Sequence, residues 1–291
     1  MQIVFHLGAH CTDDGRLVRS LLRSRGALLE RGVAVPPPRH YRSLLRETLG
    51  ILGGATATTE MQSLLIDTLV DADEITRLVL FHDSLICIPQ RAISEEGLYP
   101  MIGRRLAILN NLFPDHEVSF QLALCNPATL VPLLALQSGS GGYEAVMAGA
   151  NVLRLRWLST IRHVVQANRG FGLTLWCNED TPLIWPEVLR GLAGVGPEVA
   201  LDGDTDLLAA LLTPEGLKGL ETALTAIPVT DVAARRELVS RALETHGLTE
   251  NMEFDITLPG WTDEIVAQVT EAYVSDCAMI ATLPGVTFLQ P

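Results

Sequence analysis

Lysine is nearly missing from this 291-residue chain: Lys218 is the only one, and the other permanent cations are arginines. Any turn that grips an anion away from residue 218 must do so without a lysine. Positive charge is short as a whole, with 21 Lys and Arg against 34 Asp and Glu, a net charge of −13 and a pI near 4.9. A field of that sign repels nucleic acid and other polyanions, so neither is an expected partner. Aromatic residues make up 5%, too few to suggest sugar-stacking platforms. Five cysteines (Cys11, Cys87, Cys125, Cys177, Cys277) form an odd, widely spaced set without C-x-x-C. That excludes a disulfide framework and suits a reducing compartment. No apolar run approaches the roughly 20 residues that cross a bilayer, although the mean hydropathy is +0.27. The opening MQIVFHLGAHC runs straight into a strand-like segment with neither a basic leader nor an apolar leader core. The expectation is a cytoplasmic protein with no membrane span. Internal repeats, G-x-G-x-x-G, H-E-x-x-H, and G-x-S-x-G ahead of a helix are all missing. Asp202-Gly203-Asp204-Thr205-Asp206 alternates acids but lacks the glycine and distal glutamate of a calcium loop.

What is present is a 48% apolar chain, ample for a buried core. Short β-branched runs (3–7, 33–35, 77–82, 118–124 and 172–177) alternate with helical patterns over 16–30, 40–52, 59–72, 99–112, from Pro127, 154–167 and 184–193. Gly139 to Gly142 reads as a flexible connection. The alternation predicts βαβ units, hence a three-layer α/β/α fold with a mostly parallel sheet. From about residue 200 the pattern is nearly all helix (204–212, 214–225, 230–245, 262–282), with a closing strand-like segment at 286–289. The expected division is an α/β core over 1–200 and a helical C-terminal portion over 201–291, either part of the same domain or separate. Asp202-Gly203-Asp204 is the candidate boundary. Trp157, Trp176 and Trp185 are expected to pack on the sheet, and Trp261 to staple the last helix.

Charge is unevenly placed. Residues 1–50 hold eight arginines against four acids, leaving the remainder strongly negative. Arg16, Arg19 and Arg23 share one face of the first predicted helix, a solvated face or an anion clamp, while Arg25 falls on its apolar face and needs a partner or a path to solvent.

Ligands of open parallel sheets bind beyond the carboxyl ends of the strands. Four segments should meet there: Gly8-Ala9-His10-Cys11-Thr12-Asp13-Asp14-Gly15, His82-Asp83-Ser84, Cys125-Asn126-Pro127 and Cys177-Asn178-Glu179-Asp180. Their order and spacing resemble the sulfotransferases, P-loop-type proteins that bind adenosine 3′-phosphate 5′-phosphosulfate (PAPS). The likeness is to a divergent bacterial member and covers roughly residues 2–195. The first loop of that family, H-x-G-x-x-K-T-G-T-T, lies on HLGAHCTDDG, with His6, Gly8 and Thr12 kept. The second signature, R-D-P-x-x-R-x-x-S, lies on Cys125 to Leu133, and the later Y-E-D-L on Asn178 to Thr181 ahead of WPEVLRGLAG.

The resemblance implies PAPS as cofactor, with Gly8, His10, Cys11, Thr12, Gly15, Arg16, Cys125 and Asn126 at the family's cofactor-binding positions. Several of these depart from the pattern. Cys11 stands at the lysine position, and Asp13-Asp14 follow where Gly-Thr belongs. Cys125, Leu130 and Leu133 replace two arginines and a serine. A carboxylate about 4 Å from an anion costs on the order of 4 kcal/mol at an effective dielectric near 20. Thr12, Asp13 or Asp14 equally makes a good helix cap.

Three readings follow. The first is a non-catalytic binding or scaffolding protein with a degraded PAPS site, its partner an unknown small molecule or protein. The second is an active sulfotransferase for a small or non-polyanionic hydroxyl acceptor, with His82 or Asp83 as general base and Arg16 in place of the lysine. The third is a metal-binding protein using Cys11, Cys125 and Cys177 with His6, His10 and His82 at the strand-end rim.

Overall fold

The computed structural model describes residues 1–72, 74–82, 84–138, 142–167, 170–252 and 258–291. Its strands are β1 (Gln2–His6), β2 (Val33–Ala34), β3 (Arg77–Phe81), β4 (Ile93–Ser94), β5 (Gly97–Leu98), β6 (Glu117–Leu124), β7 (Gly172–Cys177) and β8 (Val286–Leu289). The first helices are α1 (Arg16–Arg23), α2 (Arg25–Leu29), α3 (Arg42–Leu52), α4 (Thr59–Leu69), α5 (Ile102–Asn110), α6 (Pro127–Gln137), α7 (Gly142–Met147), α8 (Trp157–Ala167) and α9 (Thr181–Ala193). The remainder are α10 (Leu208–Leu211), α11 (Pro214–Thr225), α12 (Val232–His246), α13 (Thr249–Met252) and α14 (Asp263–Ile280). Of the expected Gly139–Gly142 connection, residues 139–141 lie outside the described residues, and Gly142 opens α7.

Six strands form one parallel sheet in the order β2-β3-β1-β6-β7-β8, and β4 and β5 form a small antiparallel hairpin. The alternation of side chains along the strands divides the core in two. Val4, Val79 and Trp176 join Leu17 and Leu21 of α1 and Ile184, Trp185 and Val188 of α9 on one face. Ile3, Phe5, Leu78, Leu80 and Leu175 face the other way, toward α3–α6, α8 and α14. Central strands buried on both sides need apolar residues at successive positions, and that is why they read as continuous apolar runs. Each fully buried large side chain contributes roughly 1.5–3 kcal/mol, and Trp157, Trp176, Trp185, Phe5 and Phe120 are among the most buried. Trp261 instead donates through Nε1 to the Tyr143 hydroxyl of α7 at 3.1 Å.

The single helix expected over 16–30 is two. α1 stops at Arg23, because the buried Ser24 turns its hydroxyl to accept the Asp202 N–H at 2.9 Å. The break changes the helical phase, so Arg25 opens α2 exposed to solvent rather than on an apolar face.

The C-terminal portion contributes to both layers and to the sheet. β8 pairs in parallel with β7. α14 packs against α8 and α6. Asp276, only 1% exposed, accepts from the Arg156 guanidinium and from the Leu158 N–H in the first turn of α8. By contrast, α11 and α12 form a hairpin with a small core of its own around Leu208, Leu212, Leu220 and Val239. Among the described residues no helix is long and apolar enough to cross a membrane.

Candidate functional site

β1 and β3 are neighbours whose onward connections leave toward opposite edges of the sheet, β1 to β2 and β3 to β6. Such a reversal opens a crevice at the carboxyl end of the strands. An open cleft of about 320 Å³ lies there. Its lining includes His6 at the end of β1, Gly8, His10, Cys11, Thr12 and Gly15 from the following turn, and His82 beyond β3.

The turn from β1 to α1 is tightly wound. Gly8, Cys11, Asp14 and Gly15 all have left-handed backbone, at φ 56°, 61°, 50° and 71°. For Cys11 and Asp14 that conformation costs about 1 kcal/mol or more each, because Cβ crowds the following carbonyl. The turn is held by its own polar groups. Thr12 Oγ1 donates to the Ala9 carbonyl at 2.7 Å. The His10 N–H donates to the Tyr99 hydroxyl at 3.1 Å, and His10 Nδ1 lies 3.0 Å from the same oxygen. The His10 ring stacks parallel on Tyr99, which stacks in turn on Trp157.

Asp13 settles the electrostatics of the turn. Its carbonyl accepts the Arg16 N–H at 2.8 Å, and its carboxylate Oδ2 accepts the Leu17 N–H at 3.0 Å. Oδ1 lies 3.8 Å from Nε2 of His6, and both side chains are nearly inaccessible. Burial alone would raise the Asp13 carboxyl. The His6 imidazole and the Leu17 N–H outweigh it and hold the group below the ordinary aspartate value. Thus the positive end of α1, where a helix offers N–H groups to an anion, is occupied by a carboxylate of the same chain.

The three arginines of α1 separate. Arg16 turns to Asp14 at 3.6 Å. Arg23 pairs with Asp206 and donates to the Asp202 carbonyl at 2.7 Å. Arg19 lines the cleft, donating through Nη1 to the Asp14 carbonyl at 2.9 Å. Arg42 at the start of α3 and Gln137 at the end of α6 also line it; sequence reading missed both, since nothing local links positions 42 and 137 to residue 10. Asp83 lies outside the described residues. Arg16, Cys125 and Asn126 are not part of the lining. Cys125 is fully buried, with its carbonyl accepting from Trp157 Nε1 at 2.7 Å. Asn126 caps α6 through the Ala128 N–H, donates Nδ2 to Thr270 Oγ1, and gives its backbone N–H to Glu179. Glu179 also accepts from the Tyr273 hydroxyl at 2.6 Å, which ties β7 and α14 to the head of α6.

The thiols are dispersed in the same way. Burial, reinforced by Asp14, pushes Cys11 up to about 12, and burial pushes Cys87 up to about 11. Cys125 is raised by burial and by Glu179. Cys177 meets Cys277 rather than Cys11 or Cys125, and a hydrogen bond from Cys277 lowers the Cys177 thiol. Among the described residues no three His, Cys, Asp or Glu side chains gather closely enough to hold a metal ion. The expected set of Cys11, Cys125 and Cys177 with His6, His10 and His82 therefore does not form a centre within those residues, because Cys125 is enclosed in the core and Cys177 faces α14. Set against protein-family models, curated proteins and solved structures, the chain matches none.

Proposed function

We propose that this chain is a non-catalytic binding or scaffolding protein on a sulfotransferase-like fold, in which the place of the PAPS phosphates has been taken by the protein's own carboxylate. The observation that carries the reading is Asp13 on the N-terminus of α1, accepting the Leu17 N–H and facing His6. A cofactor phosphate entering that turn would have to displace Asp13 or stand beside two carboxylates. The second anionic subsite is equally altered. Cys125 and Leu130 are fully buried where a gripping cation would have to reach solvent. The central position of β1 and the turn that leads it into α1 support the family likeness.

An active sulfotransferase is the competing reading, and Arg19 and Arg42 in the wall of the cleft favour it. Its general base is the weak point. His82 Nδ1 accepts the Ser84 N–H at 3.0 Å, so in the neutral ring the proton sits on Nε2, and neither nitrogen is then placed to take a proton from an acceptor hydroxyl.

Calorimetry with adenosine 3′,5′-bisphosphate, the desulfated cofactor, tests the proposal. The expected result is no saturable heat at ligand concentrations of about 1 mM. Micromolar affinity, with PAPS consumed on addition of simple alcohols or phenols, would establish the competing reading instead.

A further inference from the structure

Cys177 closes β7 at the place where the sheet meets α14. The β6–β7 register sets Leu124 beside Cys177. From α14, the Tyr273 hydroxyl lies 2.8 Å from the Leu124 carbonyl and 2.6 Å from Glu179 Oε2, two residues past Cys177. These contacts hold the inward face of α14 over the end of β7. That face carries Val269, Tyr273, Cys277 and Ile280, and helical positions four apart stand one above the other. Cys277, one turn beyond Tyr273, therefore comes down on Cys177, and the two thiols hydrogen-bond each other. Cys277 is buried in the core, whereas Cys177 is only half-buried at the strand end.

The pair is asymmetric. The Cys277 thiol, and after it the Tyr273 hydroxyl, donate toward Cys177; together they outweigh its burial and hold its thiol below the ordinary cysteine value. The same contact, with burial, raises Cys277. Cys177 is thus the thiolate of the pair, and Cys277 is the neighbour that keeps the proton. Cys11, Cys87 and Cys125 are all raised by burial, so none of them competes as the reactive sulfur.

We propose that Cys177 and Cys277 form a peroxide-sensitive dithiol, with Cys177 the attacking sulfur and Cys277 the resolving one, and that their disulfide staples α14 to the sheet. The oxidant is a small hydroperoxide, since a half-buried sulfur admits a small molecule more readily than a bulky disulfide. The Cys177 thiolate attacks one peroxide oxygen: an S–O bond forms, the O–O bond breaks, and the leaving hydroxide is protonated to water. The Cys277 sulfur then attacks Cys177: an S–S bond forms, the S–O bond breaks, and the departing oxygen leaves as water with the Cys277 proton. One hydrogen peroxide is reduced to two waters as two thiols become one disulfide. The bond closes the long loop between residues 177 and 277 and so restricts the unfolded chain. In a reducing compartment it is transient and is reopened by thiol reductants.

The test exposes the intact reduced protein to a slight molar excess of hydrogen peroxide at neutral pH, blocks remaining thiols by alkylation, and maps peptides without reduction. Cys177 and Cys277 fall on separate tryptic peptides. Those two peptides should be found joined, and dithiothreitol should part them. The oxidised protein should unfold at a midpoint about 5 °C higher, and an unchanged or lower midpoint would contradict the staple. Cys277→Ser should stop the reaction at a Cys177 sulfenic acid, which dimedone traps, and Cys177→Ser should leave Cys277 a thiol. Cys177 left unoxidised, Cys177 carried to a sulfinic acid beside a free Cys277, or Cys177 joined to any other cysteine would overturn the proposal. If either variant fails to fold, the cross-link map of the unaltered protein decides alone.

Discussion

The rim cleft and the crevice between α9 and the α11–α12 hairpin satisfy their polar groups in different ways. At the rim, backbone donors are met by side chains from nearby turns and helices: Leu17 N–H by Asp13 and His10 N–H by Tyr99. In the crevice, side-chain charges pair between elements, Arg190 with Asp204 and Arg236 of α12 with Glu187 of α9. The difference teaches that local sequence sets the polar contacts of a strand-end turn, whereas packing between helices sets those of the crevice.

The largest expected effect comes from removing the carboxylate behind the crevice. Asp204→Ala strands Arg190, whose side chain is 10% exposed, and should cost about 3 kcal/mol in urea unfolding, as loss of one partner from a buried pair does. A loss near zero would show that the crevice wall is solvated.

Next is Asp13→Asn, which keeps an acceptor for Leu17 but removes the charge, at a cost of about 2 kcal/mol. Because the folded-state value of Asp13 lies below its unfolded value, its stabilisation is fully present above the ordinary aspartate value of about 3.9 and fades as pH falls through the lower folded value. The stability gap between the two proteins should thus be flat from neutral pH to about 5 and close in stronger acid. A gap that grows with acid would contradict the assignment.

Asp14→Gly should act in the other direction. It relieves left-handed backbone at φ 50° and loses only an exposed ion pair with Arg16, for a gain of about 1 kcal/mol in thermal unfolding. The smallest perturbation is chemical. Brief alkylation near pH 8 should label Cys177 first, since it alone of the five thiols is lowered, and Cys125 last, since it is fully buried. Peptide mass spectrometry reads the order.

The sheet was legible because β1, β3, β6 and β7 are apolar on both faces and end at Gly, His, Cys or Asn turns that periodicity marks clearly. The break at Ser24 was not, because the helical pattern runs on past it. What stops α1 is a hydrogen bond from Asp202, far away in sequence. None of Thr12, Asp13 and Asp14 is the N-cap of α1, which is the left-handed Gly15; the helix starts later than the pattern suggests, and Asp13 reaches the Leu17 N–H from before the cap. Arg42 and Gln137 could not be read, because crossover connections alone bring α3 and α6 to the same rim. The crevice carries no motif at all, being made of ordinary Leu, Val, Pro and Arg on helices whose mutual packing periodicity does not specify.

The most direct measurement is the backbone amide resonance of Leu17 followed by NMR while adenosine 3′,5′-bisphosphate is added. With Asp13 holding that N–H, the resonance should stay fixed with ligand and move only as acid titrates the carboxyl. A saturable shift at neutral pH, with nucleotide in the micromolar range, would mean that the head of α1 accepts a phosphate after all.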